Sequence, residues 1–366
     1  MITRPDDKPA VPLAFIGVML IVVAFIGYNL YTALSPSSVS PVSNSANFTI
    51  GAILLEPANC QDCFQLINLT NSLFPNSFER VSFADPRGKD LASKYSISKL
   101  PALIIFDESK VQNPQFQQIT VSRLDALILE SPVPPYVEIA TGGVKGKVTS
   151  YSISPQNCGQ CVRTSDFIVE IKANGVVAQN QELSADSTKA QELIAKYNLT
   201  FLPAFIFSED LLEYSQFKQS WTILGSVEND GQLVMRQPLP PYVNVSNNRT
   251  EGLVSAVYIT DDTCATCYNV SIHKAAMESY KVFIVNESYV DVASLEGQAL
   301  LEKYNLTKVP TLLLSKEAGV YFALNRVWSG IGSIESDGVF IFRKFDTVPG
   351  IIYKDVSTNS IVTVPQ

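Results

Sequence analysis

The sequence predicts an α/β protein in which three tandem copies of one unit follow a single apolar helix. An uninterrupted apolar stretch near the N-terminus predicts the helix. Two recurring features predict the repeats: a Cys-x-x-Cys pair, and a Lys-Tyr dipeptide that comes seven and six positions before a proline. The pairs are Cys60/Cys63, Cys158/Cys161 and Cys264/Cys267, and the prolines are Pro101, Pro203 and Pro310.

The apolar stretch is long enough to cross a bilayer. No charged residue occurs between Lys8 and Glu56, and residues 11–34 would span about 36 Å as a helix. A cleaved signal peptide has a shorter apolar core, and Pro36 directly follows the small-residue sequence that ends at Ser35. We therefore predict a transmembrane helix over residues 11–34.

The flanks of this helix predict its orientation. Arg4 and Lys8 favour a cytoplasmic tail over residues 1–10, and residues 35–47 form a Ser/Pro-rich linker. Asn-x-Ser/Thr triplets occur only after the apolar stretch, which suits an exported and glycosylated face. They begin at Asn47, Asn68, Asn198, Asn244, Asn248, Asn269, Asn286 and Asn305.

Paired prolines and polar turns punctuate the repeats. The segments VPPYVEIATGG and LPPYVNVSNN are alike, and they place the boundaries near residues 140 and 247. The predicted domains are therefore residues 48–140, 141–247 and 248–366.

Each unit is predicted to run strand, cysteine pair, helix, strand, helix, proline, strand. Apolar, β-branched residues precede each pair, and the apolar run after each proline is typical of a strand covered on both faces. Ser96, Asn198 or Asn305 follows the Lys-Tyr dipeptide where the second helix ends, and Asn tolerates the left-handed conformation found there.

Cysteines in this spacing, between a strand and a helix, suit redox chemistry. A sulfur at a helix N-terminus is stabilised as the thiolate, and a second sulfur one turn later can resolve a mixed disulfide. Three alternatives stay open. The pairs could be structural disulfides, although so short a loop removes little chain entropy; they could bind zinc, although they lie in separate units; or they could be redox-idle pairs in a binding module.

The segments KYSISKLPALIIF, KYNLTFLPAFIFS and KYNLTKVPTLLLS resemble the cis-proline region of the thioredoxin superfamily, and the spacing from cysteine to proline fits that family. The resemblance covers residue 48 to the end, in triplicate. It implies three thioredoxin-like domains in which Cys60, Cys158 and Cys264 attack and Cys63, Cys161 and Cys267 resolve. It also implies that Pro101, Pro203 and Pro310 are cis and face the sulfurs.

The residues before these prolines are Leu100, Leu202 and Val309, and the resemblance implies that their backbone groups pair with an extended substrate. The Trp-Cys-Gly-Pro-Cys centre of thioredoxins is absent. Where thioredoxins keep a buried acid, this chain has Leu54, Ser152 and Tyr258. Glu56, Asp261 or Asp262 could substitute. The single histidine, His273, is expected on the surface of the helix after Cys267.

The predicted function is a single-pass thiol-disulfide oxidoreductase of the cell membrane, whose domains act outside the cytoplasm on client proteins with thiols or disulfides. A redox partner protein is expected, and no metal or organic cofactor. A net charge of −8 without a basic run argues against nucleic acid. The alternative is a non-enzymatic surface protein whose units serve as spacers or binding modules.

Overall fold

The computed structural model describes residues 51–366 except residues 76, 112–118 and 131–132. The predicted cytoplasmic tail, transmembrane helix and linker lie outside the described residues. Within the described ranges, no helix is both long and apolar enough to cross a membrane.

The first unit is a mixed α/β unit. After the elements predicted from the sequence it has two more sheet strands and then a short hairpin. Its elements are β1 (Ala52–Glu56), α1 (Gln65–Leu73), β2 (Phe78–Ser82), α2 (Pro86–Lys94), β3 (Lys99–Leu100), β4 (Ala102–Ile105), β5 (Val121–Arg123), β6 (Ala126–Glu130), β7 (Tyr136–Glu138) and β8 (Val144–Lys145).

The second unit repeats this order, and a helix is described before its last two sheet strands. Its elements are β9 (Val148–Ser154), α3 (Thr164–Ala173), β10 (Ala178–Ser184), α4 (Thr188–Lys196), β11 (Phe201–Leu202), β12 (Ala204–Phe207), α5 (Ser215–Leu224), β13 (Gly225–Val227), β14 (Leu233–Met235), β15 (Tyr242–Asn244) and β16 (Arg249–Glu251).

The third unit matches the second element by element. Its elements are β17 (Val254–Thr260), α6 (Ile272–Ser279), β18 (Ile284–Asp291), α7 (Leu295–Tyr304), β19 (Lys308–Val309), β20 (Thr311–Leu314), α8 (Phe322–Ile331), β21 (Gly332–Ile334), β22 (Phe340–Phe342), β23 (Ile352–Asp355) and β24 (Ser360–Thr363).

Each unit is built on a five-stranded mixed sheet. In the first unit the order is β2-β1-β4-β6-β5, with β1 parallel to β2 and antiparallel to β4. The strands after the three prolines are buried along their whole length, as expected for a strand covered on both faces. Three repeated sheets of this kind fit tandem thioredoxin-like domains.

A second, three-stranded sheet lies beside each proline. The short strand that precedes the proline pairs with the first strand of a hairpin, giving the orders β3-β7-β8, β11-β15-β16 and β19-β23-β24. The two segments that predicted the domain boundaries, which we call the joints between units, therefore form hairpins. The predicted boundaries at residues 140 and 247 fall inside these hairpins.

The recurring Lys-Tyr dipeptide fixes the end of the second helix to the sheet. In the second unit, Lys196 and Tyr197 both contact Asp230 in the turn between β13 and β14, at 2.6 and 2.9 Å. The hydrogen bond from Lys196, reinforced by that from Tyr197, lowers the pKa of Asp230 to about 2. The first and third units have the same arrangement around Asp125 and Asp337, so the repeat of this dipeptide has a structural cause.

Glycines at the two joints lock successive units together. Gly146 has φ +80°, and an added Cβ there would lie 2.1 Å from Pro134 Cβ. Its N–H donates to Asp210 Oδ1 at 2.8 Å, and its carbonyl accepts from the Tyr214 hydroxyl at 2.8 Å.

The second joint repeats this geometry in the next unit. The Gly252 N–H donates to Glu317 Oε2 at 2.9 Å, and the Gly252 carbonyl accepts from the Tyr321 hydroxyl at 2.6 Å. The residue that follows each of the first two hairpins is thus hydrogen-bonded to the next unit.

Two glycines at the end of α8 give a matched test of sheet packing. A Cβ on Gly332 would lie 2.0 Å from the Ile341 carbonyl oxygen and 3.0 Å from Trp328 Nε1, whereas one on Gly330 would meet nothing within 4 Å. We expect Gly332→Ala to lower the free energy of unfolding by roughly 1–3 kcal/mol, because the buried strand and indole must shift.

Gly330→Ala should instead be neutral or raise the free energy of unfolding by roughly 0.5–1 kcal/mol, because alanine favours the helix. Denaturant unfolding followed by tryptophan fluorescence measures both variants. Equal effects of the two substitutions would contradict the described close approach.

Candidate functional site: the three cysteine pairs

Strand register brings each proline to the end of the sheet where the cysteine loop begins. In the third unit Ile259 pairs with Thr311, so Pro310 lies opposite the end of β17, and Cys264 follows four residues later. The equivalent pairs are Leu55 with Ala102 and Ile153 with Ala204. The bonds Leu100–Pro101, Leu202–Pro203 and Val309–Pro310 are all cis, as the resemblance implies.

All six cysteines form disulfides within their own Cys-x-x-Cys pairs, with Cα–Cα distances of 5.4 to 5.5 Å. In the first two units, the first cysteine is half-buried and the second, Cys63 or Cys161, is buried. The third unit reverses this order, because Cys264 is only 6% exposed and Cys267 is half-buried. Attack by the first sulfur fits the accessibility of the first two units, but not that of the third.

The cysteines do not begin a helix, and this prediction was wrong. Helix α1 begins at Gln65, beyond Cys63, and α6 begins only at Ile272. The disulfide-closed loop makes its own turn, in which the Cys267 N–H donates to the Cys264 carbonyl at 3.2 Å. Because the helix dipole acts only within its first turn, it stabilises these sulfurs less than the sequence suggested.

In the third unit, the two cysteines and the cis-proline line one open pocket of about 180 Å³. Cys264, Cys267 and Pro310 share it with Asp261 and Tyr289, among others. Both cysteines of the disulfide therefore border a space that a small thiol could enter.

Asp261 is the acidic residue in the lining of this pocket. Its Oδ1 accepts from the Thr263 N–H at 2.9 Å, and Lys354 Nζ, from the hairpin, lies 2.9 Å from its Oδ2. Burial works to raise the pKa of Asp261, but the hydrogen bonds from Thr263 and Lys354 outweigh it and hold the pKa below its usual range. Asp261 is therefore an ionised carboxylate at neutral pH, and it also shapes the turn that carries Cys264.

The expectation that His273 lies on the surface was wrong, since this residue is only 7% exposed. Tyr268, next to Cys267, joins it to the proline: the Tyr268 hydroxyl lies 2.9 Å from His273 Nε2 and donates to the Pro310 carbonyl at 2.8 Å. Burial lowers the pKa of His273 to about 4 and raises that of Tyr268. Met277, four residues after His273, is also buried, and this helical spacing is the signal that could have placed the histidine inward.

The positions where thioredoxins keep a buried acid hold neutral side chains. Leu54, Ser152 and Tyr258 are all fully buried. The Tyr258 hydroxyl has no hydrogen-bond partner among the described residues, and burial raises its pKa to about 12. Glu56 is held by Arg80 through two hydrogen bonds of 2.6 and 2.8 Å. Asp262 is exposed, so among the three acids considered Asp261 is the one that lines the pocket.

The residues expected to bind a substrate backbone already pair with the chain itself. Leu100 is opposite Val137, Leu202 is opposite Val243 and Val309 is opposite Lys354. Their role toward a client remains a prediction.

The other predicted features bear on zinc and on glycosylation. Within the described ranges, no group of three or more His, Cys, Asp or Glu side chains is placed to hold a metal ion. Asn47 lies outside the described residues, and Asn244 is half-buried and donates to Glu251 at 2.8 Å. The remaining triplet asparagines are exposed: Asn68, Asn198, Asn248, Asn269, Asn286 and Asn305.

No protein-family profile and no curated protein sequence matches the chain. Among solved structures, the alkylhydroperoxide reductase AhpF of Enterococcus faecalis is 18% identical over 46% of this chain and 81% of that chain, with a TM-score of 0.17. Human ERp44 is 10% identical over 72% and 77%, with a TM-score of 0.14.

Full-length ERdj5 is 10% identical over 72% of this chain and 41% of that chain, with a TM-score of 0.17. Scores this low give no support to a shared activity. The thioredoxin-like character of the units rests instead on their sheet order, their cis-prolines and their cysteine pairs.

The buried histidine predicts a pH-dependent stability of the third unit. Unfolded histidine has a pKa of about 6.5, whereas burial lowers that of His273 to about 4. Between these values the unfolded state binds a proton that the folded state does not. The free energy of unfolding should therefore fall by roughly 3 kcal/mol as the pH drops from about 6.5 to about 4.

Denaturant unfolding across this pH range measures the effect, with His273→Leu as the comparison. The variant should lose most of the slope, because the chain has no other histidine. Parallel pH profiles for the wild-type protein and the variant would contradict the buried, neutral imidazole.

Proposed function

We propose that the chain is a thiol-disulfide oxidoreductase that exchanges disulfides with client proteins through its Cys-x-x-Cys pairs. One observation carries the proposal: in the third unit both cysteines, a cis-proline and an ionised carboxylate line one open pocket. A pair that only stapled the fold would not need an open face bordered by these groups.

The exchange needs no cofactor. A client thiolate attacks one sulfur of the protein disulfide, the protein S–S bond breaks, and the second sulfur leaves as a thiolate while a mixed disulfide forms. A second client thiolate then attacks the client sulfur of the mixed disulfide. The client gains a disulfide, and the protein gains two electrons and, with two protons, becomes a dithiol. The same steps reversed reduce a client.

The residues around the third pair have separate roles in this scheme. Asp261 holds the turn that carries Cys264, through its hydrogen bond from Thr263. Tyr268 and His273 hold the Pro310 carbonyl in place through the contacts described above. Lys354 pairs with Asp261 and so offsets a negative charge that would otherwise disfavour a thiolate at this disulfide.

We further propose that residues 11–34 anchor the protein in a membrane and that the units act on its extracytoplasmic side. The uncharged apolar stretch and the triplet asparagines beyond it support this topology. An oxidising compartment also suits three disulfides in one chain.

A second candidate, a non-enzymatic spacer or binding protein, has one observation in its favour. The backbone edge beside each cis-proline is occupied by the chain's own hairpin, as in a unit that no longer receives substrates. Trapping of mixed disulfides separates the two functions.

Removal of the resolving cysteine should trap clients. In the first unit we expect Cys63→Ala to accumulate disulfide-linked complexes in the cells that make the protein, about tenfold above Cys60→Ala, because the sulfur left by the latter is buried. In the third unit the burial predicts the reverse, with more complexes for Cys264→Ala than for Cys267→Ala. Non-reducing gels and mass spectrometry detect the complexes.

If none of these variants forms more mixed disulfides than the wild-type protein, the oxidoreductase function is contradicted and the spacer function is favoured. Equal trapping by both variants of a pair would instead overturn the assignment of roles from burial.

A further inference from the structure

In every unit, the backbone of the residue before the cis-proline is already paired with the chain's own hairpin. In the first unit, the Ile139 N–H donates to the Ser98 carbonyl at 2.9 Å. Because hydrogen-bonded and non-bonded pairs alternate along an antiparallel ladder, Leu100 and Val137, two residues further on, exchange both of their backbone hydrogen bonds. An extended client could pair with Leu100 only by displacing β7.

The same ladder occurs in the other two units. The Val245 N–H donates to the Thr200 carbonyl at 2.9 Å, and the Val356 N–H donates to the Thr307 carbonyl at 2.8 Å. Leu202 and Val309 are therefore as fully paired as Leu100.

Residues of the hairpins and their exits also contact the cysteine loops themselves. Lys147, just after β8, forms an ion pair of 2.9 Å with Asp62, between the two cysteines of the first unit. In the second unit, the hydroxyl of Thr250 in β16 lies 3.9 Å from Cys158 Sγ. In the third, Lys354 reaches Thr263 at 2.9 Å and the Ile352 carbonyl accepts from the Tyr268 N–H at 2.8 Å.

Contacts with the following unit hold the first two hairpins in place. Besides the glycine hydrogen bonds described above, the Tyr136 hydroxyl in β7 donates to Glu213 of the second unit at 2.8 Å. These two hairpins are therefore fixed to the folded units on both sides and do not act as flexible linkers.

We propose that each hairpin closes its unit to extended polypeptides: a protein client must displace β7, β15 or β23 before its backbone can pair beside the disulfide, whereas a small thiol reaches the sulfurs directly. This inference rests on the proposed function. It makes hairpin opening the step that limits reaction with proteins.

Two reactions of the oxidised protein separate these substrate classes. Two glutathione molecules reduce a pair to its dithiol and leave as glutathione disulfide, through a mixed disulfide. An unstructured peptide with two cysteines does the same and leaves with an internal disulfide. The first reaction needs no strand pairing, and the second is faster when the peptide backbone can dock.

Proline variants in the first hairpin test the proposal in the full chain, with Cys158, Cys161, Cys264 and Cys267 changed to Ser. Val137→Pro removes the N–H that pairs with Leu100. Val144 is opposite Val137 in the register, in a pair whose N–H groups point away from each other, so Val144→Pro leaves β7 in place and is the matched control.

We expect Val137→Pro to raise the rate of exchange with the peptide by about tenfold, as loss of one backbone hydrogen bond would allow. Its rate with glutathione should stay within about twofold, and Val144→Pro should change neither rate. An unchanged peptide rate in a folded Val137→Pro protein would overturn the proposal. If the wild-type pair reacts with neither probe in this protein, nor in the matching protein that retains only the third pair, the proposed function is overturned instead.

If Val137→Pro fails to fold, the third unit repeats the comparison with Lys354→Pro against Ile361→Pro, with only the third cysteine pair retained. Lys354→Met then separates loss of the ammonium group from loss of the N–H. A faster peptide reaction for Lys354→Pro alone supports the closed hairpin, and equal rates for Lys354→Pro and Lys354→Met contradict it.

Discussion

The antiparallel register between the strand before each cysteine loop and the strand after each cis-proline holds the sites together. It places Pro310 opposite the last residues of β17 and thereby brings a buried backbone turn against a disulfide that is distant in sequence. The post-proline strands are buried along their whole length, so this pairing lies in the core of each unit. Without this register, the proline would not lie beside the disulfide.

The three sites share this frame and differ in what surrounds it. The first pair has a lysine from the joint at its loop, and the second has a threonine hydroxyl near its first sulfur. The third adds Asp261, Tyr268 and His273, and it exposes the second cysteine more than the first. The polar surroundings and the accessibility of the sulfurs therefore differ among the pairs, and the third pair has the most polar groups around it.

Features that depend on local chemistry could be predicted from the sequence. The strands Ala204–Phe207 and Thr311–Leu314 lie where the apolar runs placed them, and Ser96, Asn198 and Asn305 have positive φ, as expected after a helix. The hairpins were missed because strands of two to four residues have no period to detect and paired prolines resemble a break. Their pairing is non-local, and only the backbone bonds to Ser98, Thr200 and Thr307 reveal it.

The central claim is that the pairs cycle between disulfide and dithiol, and equilibration of the full chain in a graded series of glutathione buffers tests it most directly. Alkylation followed by mass spectrometry gives the reduced fraction of each pair. We predict that at least the third pair becomes reduced within the series, at a potential between roughly −300 and −120 mV. Three pairs that all remain disulfides in the most reducing buffer would show that they are structural, and would contradict the redox role.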